Sequence, residues 1–252
     1  MKPSDPSSSF VTRHRFVVLF VALLVFFVLV PVLHQVHEKL DPAAPPIFEG
    51  ILFIVVLAGV VVSLSANRTS KLLALGLGLP AAGLVLVHSF GASVGVAVVR
   101  QVIGIAFLGY AIIVIFLYIL ASRRVSTNTV FASLCIYLLL GVVWALGYSL
   151  IEHFDLRAFL STSSTEQSRP LMQIGTGKST AVLYFSFVTL TTLGYGDIVP
   201  VSPIARTLAS LEAITGQLFL AVLVARLVGL HIAESLEQKQ GDAAEPTRRP
   251  DG

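Results

Sequence analysis

What most constrains this chain is a series of long apolar runs nearly empty of charge. Phe16 to Leu33 carries none, and further runs extend over Ile47–Ser65, Leu72–Val87, Val96–Ala121, Val130–Ile151 and Pro203–Leu230. A helix rises 1.5 Å per residue and the hydrocarbon core of a bilayer is ~30 Å thick, so runs of this length read as spanning helices. Only 12% of the 252 residues are charged, against roughly 25% in a soluble domain. The chain reads as a membrane protein with six spanning segments. One cysteine, Cys135, sits inside an apolar run, which excludes an internal disulfide framework and reads as packing.

The net charge of +3 and pI of 9.2 do not point to nucleic acid, because the basic residues sit mostly at segment ends. There they set topology. With the N-terminus inside, Arg13, Arg15, Arg68, Lys71, Arg123, Arg124 and Arg226 fall on the cytoplasmic side. Both termini are then cytoplasmic in a multi-pass protein of the cell membrane. The basic flank before the first run is also compatible with a signal peptide. The run is long and no small-x-small cleavage site follows, so it reads as a retained helix. Residues 1–15 read as a disordered cytoplasmic tail and 16–124 as a four-helix transmembrane domain. Residues 125–232 form the domain holding the last two runs, and 233–252 a second disordered tail. His34 to Pro46 reads as a proline-rich loop, in which His34, His37 and Glu38 read as solvated rather than metal-ligating.

Between the fifth and sixth runs, Ser179 to Thr191 is apolar but spans only about 20 Å as a helix, too short to cross. A half-length helix fits a re-entrant segment buried in protein, with Ser179 or Thr180 capping its start. Its C-terminal end directs partial negative charge inward and favours a cation there. Directly after it comes Thr191-Thr192-Leu193-Gly194-Tyr195-Gly196-Asp197. The alternating glycines permit backbone angles that turn successive carbonyl oxygens to one side. Several copies around an axis would stack such oxygens in rings that replace the water around a dehydrated cation.

This stretch resembles the filter of potassium channels, Thr-Val-Gly-Tyr-Gly, with Leu193 in place of valine. The resemblance extends to Tyr184 and Phe185, thirteen and twelve residues before Asp197, and covers about residues 180 to 230. It implies an all-α membrane protein: six transmembrane helices, a re-entrant pore helix and a selectivity-filter loop, assembled as a homotetramer because each chain supplies one filter strand. Thr192 would give its hydroxyl and carbonyl to the innermost K⁺ site, and the carbonyls of Leu193, Gly194 and Tyr195 would line the sites above. Thr191 stands at the filter entrance, Gly196 allows the turn and Asp197 sits at the outer mouth, within reach of a hydrogen bond from Tyr184. Tyr195 would point away from the ions and brace the filter width. The implied activity is passive K⁺ conduction, with no enzymatic chemistry and no cofactor beyond the permeant ion. Partners are the other subunits and membrane lipid. Leu193 leaves open a less selective cation channel, and a receptor or transporter with an accidental Gly-Tyr-Gly loop is the rival from another class.

Two residues of the last run stand out. Gly216 lies nineteen residues beyond Asp197, where it reads either as a gating hinge or as a close helix–helix contact. Glu212 is the one acid deep inside an apolar run, a functional-site hypothesis by default. It is expected behind the filter, bonded to Thr189 or Thr191. Arg226 is expected to snorkel to the interface, and Trp144, Tyr148 and Glu152 to anchor the outer interface. The fourth run has Arg100 near its start and Arg123-Arg124 after its end, with nothing charged between. A voltage sensor needs several charges across the field, each contributing ~2.3 kcal/mol per 100 mV. Voltage dependence is therefore expected to be weak or absent.

Overall fold

The computed structural model describes residues 14–40, 47–64, 68–89, 94–122, 126–162, 169–170 and 178–244. Five helices come first: α1 (Arg15–Leu40), α2 (Ile47–Leu64), α3 (Arg68–Ser89), α4 (Val94–Ala121) and α5 (Thr127–Phe154). Then follow β1 (Phe159–Ser161), β2 (Arg169–Pro170), α6 (Lys178–Leu190), β3 (Ile198–Pro200) and α7 (Pro203–Ala244). Among the described residues four helices carry stretches long and apolar enough to cross a membrane: Arg15–Leu33, Val94–Ala121, Thr127–Phe154 and Pro203–Ile232. The apolar stretches of α2 and α3 are shorter, Gly50–Leu64 and Leu72–Val85.

Helix boundaries follow local chemistry. Ser126 caps α5, its hydroxyl accepting from the Thr129 amide at 3.2 Å. Ser202 does the same for α7 through the Ala205 amide at 3.2 Å, with Pro203 at the first helical position, where a missing N–H costs nothing. Two boundaries differ from the sequence reading. Helix α1 runs on to Leu40 through residues read as loop, and α7 runs on to Ala244 through residues read as a disordered tail. In both places an existing helix meets Gln, Glu, Lys and Leu, and elongation needs no new nucleus. The rest of the two tails, residues 1–13 and 245–252, lies outside the described residues, as does 41–46. The polar stretch after α5 contributes strands. A small antiparallel sheet, order β2-β1-β3, pairs Leu160 with Val199 and Leu160 with Pro170, so the described chain is not wholly helical.

Helices α1 to α4 pack each against the next, and α1 and α4 both lie along α5. Phe16 and Leu19 of α1, Phe107, Leu108 and Ala111 of α4, and Ile136 and Leu139 of α5 are fully buried at the meeting line. On the other side of α5, α6 is wedged between α5 and α7. Helix α7 is different: only 6% of its apolar stretch is buried, against 44% for α5. Leu211, Ile214, Leu218, Val222 and Val224 face outward from the single chain. The wedge of α5, α6 and α7 positions the candidate site.

Candidate functional site

Helix α6 is thirteen residues long, as the half-length reading requires. It starts one residue early, at Lys178, so Ser179 and Thr180 lie inside its first turn rather than at the cap. At the other end the helix does not stop cleanly. Thr191 N donates to Phe187 O at 3.1 Å and Thr192 N to Thr189 O at 2.9 Å, while Leu193 N and Gly194 N both turn back to Val188 O, at 2.9 and 3.3 Å. Every peptide here is trans, so each carbonyl points opposite to the next residue's N–H. Tying the amides of Leu193 and Gly194 to the helix therefore turns the carbonyls of Thr192 and Leu193 away from it. Those oxygens face outward from the chain.

The backbone angles show how the turn is sustained. Thr192, Gly194 and Gly196 have φ of 57°, 57° and 79°, while Leu193 and Tyr195 between them do not share the left-handed region. Alternating handedness repeats the same peptide orientation along the strand. Glycine makes this easy at 194 and 196; at Thr192 a β-branched residue holds a conformation it rarely adopts, which marks a functional constraint.

Further along, the strand is held by neighbours. Thr162, at the end of β1, donates its hydroxyl to Gly196 O at 2.9 Å and its amide to Asp197 O at 2.8 Å. Gly196 thus uses its carbonyl within the protein. Asp197 takes a hydrogen bond from Tyr184, as the sequence reading expected, and its Oδ1 accepts from Ile198 N at 3.1 Å. Phe185 is buried in a cluster of edge-on rings with Tyr148 and Phe159, each 5.1 Å away. Leu193 and Tyr195 are exposed in the single chain, at 56% and 68%.

Glu212 is fully buried behind this assembly, but not with the expected partners. Thr191 spends its hydroxyl on Phe187 O at 2.6 Å, inside the helix end. The Glu212 carboxyl instead takes Tyr148 of α5 on Oε2 and Ser186 of α6 on Oε1, the latter at 2.5 Å. Ser186 also reaches Gly141 O of α5 at 2.7 Å. One acid therefore joins α5, α6 and α7 at a single buried point. Tyr148, read from its spacing as an interface anchor, is 1% exposed and belongs to this network, and Glu152 is buried too. The partners lie 26 and 64 residues from Glu212, beyond the reach of any local pattern.

At Gly216 the structure shows the close contact. A Cβ there would lie 2.2 Å from Leu190 O, the last carbonyl of α6. Tyr137 of α5 reaches the same carbonyl at 3.4 Å. Gln217, which sequence reasoning passed over, donates its Nε2 to Thr192 Oγ1 at 3.2 Å. The available signal was its place directly after Gly216, as the only polar side chain before Arg226. Arg226 does more than snorkel: its guanidinium bonds to the carbonyls of Ile119, Leu120 and Ser122, the last two at 3.0 and 3.1 Å. It thereby caps the C-terminal end of α4, where carbonyls lack helical partners. Among the described residues no group of three His, Cys, Asp or Glu could hold a metal ion. The side chains of His34, His37 and Glu38 lie outside the described residues.

Comparison with known proteins falls on this same wedge. Residues 171–231 match the family described as "Ion channel". Over 57 residues the chain is 44% identical to "Inward rectifier potassium channel Kirbac3.1" of Paramagnetospirillum magnetotacticum. Over these residues the chain is similar to the potassium channel superfamily. The match covers 23% of this chain and 17% of that relative, so the chain spans less than a fifth of that relative's length. No solved structure matches.

Proposed function

We propose that this chain is the pore-forming subunit of a homotetrameric, potassium-selective channel that passes K⁺ down its gradient across the cell membrane. The observation that carries this reading is the left-handed alternation at Thr192, Gly194 and Gly196, together with the amides of Leu193 and Gly194 tied back to Val188 O. A strand with that backbone offers carbonyl oxygens to a cation stripped of water. A single strand cannot surround an ion, and four related by an axis can. The apolar outward face of α7 and the exposed Leu193 and Tyr195 support assembly, since each needs a neighbouring subunit or lipid to cover it. The C-terminal end of α6 adds a partial negative charge aimed at the bound ion. In this reading Thr192, Leu193, Gly194 and Tyr195 are the ion ligands. Thr191, Tyr184, Phe185, Gly196, Asp197 and Glu212 hold them in place.

The same reading gives six spanning segments with both termini cytoplasmic, α2 and α3 being the two shorter ones. No cofactor takes part. Helix α4 carries Arg100 as its only charged side chain, so opening is expected to depend weakly on voltage, with fewer than about one gating charge per subunit against the three or four of a true sensor. Full-length protein reconstituted in liposomes tests the proposal by K⁺ and Na⁺ efflux, with subunit number read by native mass spectrometry. Tetramers with K⁺ efflux well above Na⁺ efflux support it; equal efflux favours the less selective channel that Leu193 leaves room for. Silent tetramers contradict conduction.

A further inference from the structure

The paired threonines at the end of α6 use their hydroxyls differently. Thr191 Oγ1 donates into the helix end at 2.6 Å and is thereby occupied. Thr192 Oγ1 is instead met from α7 by Gln217 Nε2 at 3.2 Å. A hydroxyl oxygen has two acceptor positions, so one N–H fixes its orientation and leaves one lone pair open. The contact is made where α7 comes so close to α6 that only glycine fits, at Gly216. Gln217 is therefore placed by a backbone contact and not by a mobile loop. It is exposed in the single chain, and the contact with Thr192 uses only its Nε2. From there to Arg226 every α7 side chain is apolar: Leu218, Phe219, Leu220, Ala221, Val222, Leu223, Val224 and Ala225.

We infer that Gln217 is a specificity-determining residue of the inner filter mouth, orienting the Thr192 hydroxyl for the innermost ion and presenting its own amide oxygen to a cation just below. The inference rests on the tetrameric-channel reading. Four copies then place a ring of neutral amide oxygens at the top of an otherwise apolar passage. Amide oxygens are hard, uncharged ligands suited to a partly hydrated monovalent cation. The ion entering from the cytoplasmic side meets them first and exchanges water for Gln217 and then Thr192. Without the amide, the Thr192 hydroxyl loses its fixed orientation and the passage loses its one polar ring.

Barium, a divalent ion of potassium's size, probes this place when applied from the C-terminal side of channels in planar bilayers. Gln217→Met keeps length and removes the amide; barium block is expected to weaken about tenfold, the equivalent of one to two hydrogen bonds. In a Thr192→Ala background the same change is expected to have a much smaller effect, because its partner is gone. Gln217→Glu keeps the shape, adds four negative charges and is expected to tighten block by more than tenfold, a sign that a merely structural residue would not give. Unchanged block in both Gln217 variants, or equal shifts with and without Thr192, would overturn the inference while K⁺ current persists. Absence of any current from the unmutated protein would overturn the channel reading itself and this inference with it.

Discussion

Between α1 and α4, neighbouring helices meet mainly through apolar side chains such as Phe16, Leu19, Phe107 and Leu108. Among α5, α6 and α7, each crossing also carries a directional bond: Ser186 to Gly141 O, Ser186 to Glu212, Tyr148 to Glu212, and Gln217 to Thr192. Polar links exist in the first region, as between the Ser63 hydroxyl of α2 and Arg15 O of α1 at 3.3 Å, but they tie pairs of helices and not a shared point. Apolar packing tolerates volume-conserving exchange and small shifts. Networks of hydrogen bonds fix distance and angle, and they penalise any member left unpartnered. Under the proposed function, placing carbonyl oxygens around an ion needs the second kind of support. A bundle that only needs to sit in lipid beside it does not.

The largest test of this contrast uses glycine. Gly216→Ala drives a methyl into Leu190 O and is expected to cost at least ~3 kcal/mol or to abolish tetramers. Gly83→Ala in α3, where nothing lies within 4 Å, is expected to be neutral or mildly stabilising. Thermal unfolding in detergent with size-exclusion chromatography reads both, and equal tolerance would erase the contrast. Next in size is Glu212. Glu212→Leu leaves the Tyr148 hydroxyl buried without a partner, Ser186 keeping Gly141 O, for about 2 kcal/mol, whereas Glu212→Gln keeps an acceptor and is expected to lose about 1 kcal/mol. If both variants unfold alike, the carboxyl is not a polar joint. Tyr184→Phe removes one bond to Asp197 at the outer mouth, and its effect of about 1 kcal/mol should be read as faster loss of K⁺ current during sustained opening. Smallest is Arg226→Gln, which uncaps α4 at a cost of roughly 0.3–1 kcal/mol. Its signature is a changed open probability with unchanged ion selectivity, because Arg226 links α7 to the first region and not to the filter.

Much of the second region was legible in the order of residues. The half-length α6, the alternating glycines and the Pro203 start of α7 are local patterns, and local chemistry decides them. The bond from Tyr184 to Asp197 was legible too, through the resemblance. What escaped was what folding brings from afar. Ser186 and Tyr148 reach Glu212 across three helices, and nothing near Glu212 in sequence names them. Thr162 reaches Gly196 and Asp197 only because β1 pairs with β3, two strands of three residues each that are too short to show a period. The even choice at Gly216 was settled towards contact by a distance to another helix, which no spacing encodes.

The central claim is that the strand from Thr192 to Tyr195 selects potassium through backbone carbonyls held by α6. Its most direct test is the reversal potential of single channels in a planar bilayer with K⁺ on one side and Na⁺ on the other. The account predicts a reversal potential set by potassium, abolished when Gly194 or Gly196 is replaced by alanine. A current reversing near zero, or a potassium-set potential that survives both replacements, would contradict it.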